Sequence, residues 1–123
     1  MTLDWDINKL RETQRERMAV KKLLFVPSWD MNVPIKKLTA GQIIEAGELS
    51  TSYNPETNKW EQNSEKKNIW LLLFAIDGVE RKHKEFLEAD EGGVINSLLA
   101  KVLEFSGFGS DIQEVGLEGE KKS

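Results

Sequence analysis

Cysteine is absent from this chain of 123 residues, so it can form no disulfide, offers no thiolate nucleophile and has no cysteine metal site. That usage fits a reducing compartment. Histidine occurs once, as His83 among Arg81, Lys82 and Lys84. Neighbouring cations disfavour its protonated form, and a solvated surface position is expected for it rather than a catalytic one. Positive charge is not in excess: 17 Lys and Arg face 21 Asp and Glu, for a formal net charge of −4. Phosphate binding rests on accumulated cationic contacts, so no nucleic acid partner is expected. Long apolar runs are also missing. The longest, residues 69–76, falls far short of the roughly 20 residues that span a bilayer. No membrane partner follows, and the opening MTLDWDINKL shows no cationic segment leading into an apolar one, so no signal peptide is expected.

The sequence has no phosphate-cradling glycine loop, no zinc spacing and no calcium-loop pattern. Asp30 and Asn32 supply two oxygen ligands without a third carboxylate at calcium-loop spacing. The acidic pairs Glu45/Glu48 and Asp90/Glu91 read as solvated helix faces and caps. The expectation is a protein that is not an enzyme and uses no cofactor and no metal.

What is present is a composition of 39% hydrophobic and 31% charged residues, enough for one domain with a modest core. The most informative stretch runs over residues 23–42. Apolar runs at 23–26 and 33–38 flank a turn with Pro27, Ser28, Asp30 and Asn32, which reads as a β-hairpin over 20–38. Pro27 and Pro34 lack an N–H, so the strands belong to an edge or a very small sheet. The second strand feeds a helix over 40–49, with Thr39 and Gln42 spaced for a capping box and Leu38 and Ile43 for a hydrophobic staple. The turn carries Trp29 and Met31, two large apolar side chains that look under-buried there.

A first helix is expected over 3–18, with the wholly polar RETQRER making it surface-lying. Over 53–60, Asn54, Pro55 and Asn58 suit a tight turn that brings Tyr53 and Trp60 together across a mini-hairpin. A central helix is expected over 65–77, capped by Ser64 and ended at Gly78, with Trp70 and Phe74 on one face. Phe86 and Leu87 are expected to close the core. A last helix over 91–106 is assigned a cap at Asp90 and a glycine stop at Gly107, with Phe108 contacting Leu103. The basic pairs Lys21-Lys22 and Lys36-Lys37 lie on adjacent strands and read as edge-strand lysines. The fold class is α+β: a mainly helical single domain, 1–109, with a small antiparallel β-hairpin near the N-terminal third and a flexible tail at 110–123.

The order of these pieces resembles the tail assembly chaperones of long-tailed bacteriophages. The resemblance rests on the turn VPSWDMN, the strand and helix start IKKLTAGQ, the apolar helix NIWLLLFAIDG and the ending LLAKVLEFSGFG, spanning residues 20–111. The hairpin at 53–60 is longer than the connection typical of that family. The resemblance implies an assembly factor that binds the tape-measure protein and keeps it soluble until tail-tube subunits polymerise around it. It also implies work in the host cytoplasm and absence from the mature virion. Many members have a longer form made by a ribosomal frameshift that recruits the tail-tube protein. Here Lys121-Lys122 would sit on a slippery heptamer if encoded AAA-AAG after a GAA codon, with 116–119 as a linker. Self-association is left open. Trp29 and Met31, with Trp5 and Phe108, are the candidate partner-binding residues. A small intracellular adaptor or regulator that binds a folded host protein is the alternative.

Overall fold

A computed structural model describes residues 6–108. The tail at 110–123, the candidate Trp5 and the first residues of the expected N-terminal helix lie outside the described residues. Helix α1 (Ile7–Ala19) begins at Ile7 because Asp6 is extended and its carboxylate accepts from the Asn8 amide at 3.0 Å. None of its residues is buried, as its polar run requires. Strands β1 (Lys21–Val26) and β2 (Met31–Lys36) pair antiparallel around a single 3₁₀ turn, Pro27–Trp29. Asn32, expected in the turn, instead sits in β2 opposite Phe25. The register sets Leu24 opposite Val33, and Val26, Val33 and Ile35 are buried.

Helix α2 (Ala40–Leu49) carries the complete capping box: Thr39 Oγ1 accepts from the Gln42 amide and Gln42 Oε1 from the Thr39 amide, each at 3.0 Å. Thr39→Ala is expected to cost about 1 kcal/mol, the usual loss of a capping oxygen. Denaturant melts check it through a lowered midpoint with an unchanged slope.

Strands β3 (Thr51–Asn54) and β4 (Lys59–Gln62) form a second two-stranded sheet, longer at its base than the expected mini-hairpin. Asn54 Oδ1 accepts from the Glu56 amide at 2.9 Å, Asn58 takes φ +58°, and the Tyr53 and Trp60 rings meet edge-on at 5.5 Å. Helix α3 (Ser64–Ala75) is capped by Asn63 rather than Ser64. The Asn63 amide closes the preceding sheet on Ser50 O at 2.8 Å, which keeps Asn63 extended and frees its side chain for the Lys66 amide. At the far end the helix stops because Ile76 bridges Ile35 and Asp77 N donates to Pro34 O at 2.9 Å. Gly78, with φ +85°, makes the turn that follows instead of capping the helix.

Two corrections concern the last third. Helix α4 (Lys84–Glu88) is a five-residue helix after a 3₁₀ turn at Arg81–His83; it buries Leu87 but leaves Phe86 58% exposed, so Phe86 does not close the core. Helix α5 (Gly92–Phe105) has Glu91, not Asp90, at its cap position and no side-chain cap. Its end is the expected glycine stop: Gly107 at φ +94°, with Phe108 N on Leu103 O at 3.1 Å and Gly107 N on Glu104 O at 3.2 Å. The fold is α+β, mainly helical, with the small antiparallel hairpin near the N-terminal third. Helix α3 lies at the centre against α2, α4, α5 and β2. Ile35, Leu72, Leu87 and Val102 are wholly enclosed, each contributing about 1.5–3 kcal/mol by burial. No described helix is long and apolar enough to cross a membrane.

Candidate partner-binding trough

The chain from the hairpin turn into β2, the turn after α3 and the short helix α4 surround an open trough of about 570 Å³. Its floor is apolar because Val33, Ile76 and Leu87 reach it from the buried core. Met31 and Phe86 stand on its walls, 61% and 58% exposed. Polar groups stay at the margin. Asp77 is bound by Lys21 Nζ at 2.8 Å, and that hydrogen-bonded ammonium holds its carboxyl below the ordinary carboxylate range. His83 accepts the Glu80 amide on Nδ1 at 2.9 Å, which ties up one ring nitrogen as a local cap.

Trp29 belongs to the trough in a way its sequence position did not suggest. The indole is partly buried against the core, its ring meets Phe86 at 5.4 Å, and Nε1 donates to Asp90 Oδ2 at 2.5 Å. The other Asp90 oxygen accepts the Glu91 amide at 2.7 Å. The carboxylate expected to cap α5 therefore clamps the hairpin turn to the start of that helix. Trp29 is a wall with one fixed edge; Met31 and Phe86 are the free apolar surface.

Phe108 is not part of this surface. It is 53% exposed but lies at the other end of α5, where Ser106 Oγ accepts the Leu38 amide at 2.9 Å. The fourteen residues of α5 separate that end from the Asp90–Trp29 contact by about 21 Å. The structure thus brings Trp29 and Met31 together, adds Phe86 and sets Phe108 apart. A signal for Phe86 was present in the sequence, a large aromatic inside the charged run HKEFLE. Five residues are too few to reveal which face of a helix is apolar.

Other large aromatics are screened by cations. Arg81 and Lys84 lie over the Trp70 ring at 5.5 and 5.1 Å, and Lys22 and Lys37 over Phe105 at 5.9 and 5.3 Å. These lysines cover apolar surface and form no phosphate cradle. Chemically, the trough can receive apolar side chains from one face of a helix or loop, with no group set at its floor to orient a polar ligand. Comparison with protein-family models, curated proteins and solved structures finds no match to this chain.

Proposed function

We propose that the protein is a bacteriophage tail assembly chaperone that binds the tape-measure protein in the host cytoplasm and keeps it soluble for tail-tube assembly. The observation that carries this reading is the apolar trough with Met31 and Phe86 free on its walls. A largely helical client presents side chains at i, i+3 and i+4, and a groove of this shape accepts such a stripe. The order of sequence motifs supports the same reading. The protein acts by binding and carries out no chemical conversion. A frameshifted longer form would recruit the tail-tube protein, and the codons for Lys121 and Lys122 with the downstream reading frame test that part directly.

Co-expression with a tape-measure reading frame from the same genome, followed by pull-down, tests the client. The double variant Met31→Ser/Phe86→Ser is expected to lower capture at least about tenfold, since each lost apolar contact is worth over 1 kcal/mol. Its melting temperature should match the unaltered protein, because both side chains are exposed. Undiminished capture would remove the trough from the interface. Recovery of a folded host protein in place of the tape-measure chain would favour an adaptor.

A further inference from the structure

The outer edge of the second hairpin has features that the client reading does not use. Strands β3 and β4 form a sheet by themselves, and all four residues of β4 are exposed. Trp60 is 72% exposed and Ile44 of α2 62%, and together they border an open depression of about 480 Å³. An isolated pair of strands is marginal in water, whereas three or more with an apolar face are stable. We infer that this edge is a self-pairing surface, on which β4 of a second copy of the chain adds antiparallel about a twofold axis to make a four-stranded sheet.

Backbone phase and charge select one register. Bonded and non-bonded pairs alternate along an antiparallel ladder. Asn63 N donates to Ser50 O at 2.8 Å, and the register runs on through Ser52↔Glu61 and Tyr53↔Trp60. Residues Glu61 and Lys59 therefore bond inward to β3, while the N–H and C=O of Trp60 and Gln62 face the free edge. A centre on Gln62 is blocked, because it would set Trp60 opposite Ser64, already in α3. A centre on Glu61 uses the outward groups but opposes Glu61 to Glu61, which destabilises a pair. A centre on Trp60 also uses them, and sets Lys59 opposite Glu61 of the second copy twice.

The side chains are prepared for that register. Glu61 is held by neutral donors only, Asn54 Nδ2 at 3.2 Å and Thr57 Oγ1 at 3.1 Å. Among the described residues neither Glu61 nor Lys59 takes part in an ion pair. The two Trp60 rings would lie side by side on the face that looks toward Ile44, covering the apolar surface left open in one copy.

Sedimentation of the whole chain over a range of concentrations tests the pairing, with circular dichroism as the check on folding. The unaltered protein is expected to dimerise. Lys59→Glu and Glu61→Lys should each raise the dissociation constant at least about tenfold, because two attractive pairs become repulsive. Mixing the two variants in equal amounts should restore the dimer, since each chain then opposes its charges to complementary ones. A monomer at every concentration overturns the inference, including one whose β4 edge is taken by a client. So does a dimer that neither reversal weakens, or a mixture that stays monomeric. Should Glu61→Lys unfold through its loss of Asn54 and Thr57, Lys59→Glu decides the matter alone.

Discussion

Trp29→Ala is expected to destabilise the protein by about 2–3 kcal/mol, somewhat below the ~3–5 kcal/mol of a fully buried tryptophan. The indole is only partly enclosed, so less apolar area is lost. Its removal nevertheless opens a gap against Phe86 and strands the Asp90 carboxylate, which keeps only the Glu91 amide. Trp29→Phe separates the two effects. It retains a ring against Phe86 and deletes the Nε1 donor, at about 1.5 kcal/mol for a bond to a charged group. Chemical denaturation of both variants checks this, and an unchanged midpoint for Trp29→Ala would mean the indole is a free surface group. Loss of client capture on Trp29→Ala would therefore report folding as much as contact, which is why Met31 and Phe86 are the residues to alter in the binding experiment.

Leu72→Ala carries a larger expected effect, about 4 kcal/mol, within the ~2–5 kcal/mol range of large-to-small core substitutions. Leu72 is wholly enclosed and sits midway along α3, which packs against α2, α4, α5 and β2. With elements on every side, the surroundings cannot collapse into the cavity without breaking contacts elsewhere. Set against the 5–15 kcal/mol typical of a domain, that is a large share of the total. Leu10→Ala is the control: it lies on α1, is 44% exposed and has no core to lose, so its midpoint should move little. Equal losses at the two positions would mean that α1 packs on the core.

The sequence was most legible where structure depends on neighbours along the chain. The capping box at Thr39 and Gln42, the turn chemistry of Asn54 and Asn58 and the glycine stop at Gly107 each involve groups a few residues apart. Helix caps at Ser64 and Asp90 were misread because distant partners claimed the backbone or side chain first. Ser50 holds the Asn63 amide and Trp29 holds Asp90. For the candidate trough, a turn carrying Trp29 and Met31 was readable, whereas the Phe86 wall and the removal of Phe108 to the opposite end were not.

By itself the sequence determined the local units: the hairpin welded to a capped helix, the apolar central helix, the amphipathic last helix and a polar first helix with nothing to bury. Hydrogen-bond spacing and hydrophobic period act over a few residues, so these units are written in the order of the chain. Only the tertiary structure decided which exposed apolar groups share a surface. The clamp between Trp29 and Asp90 spans sixty-one positions, and the Ile35–Ile76 bridge joins β2 to the end of α3. Those long-range contacts seat α4 beside the hairpin turn, and no period along the chain encodes a distance across it.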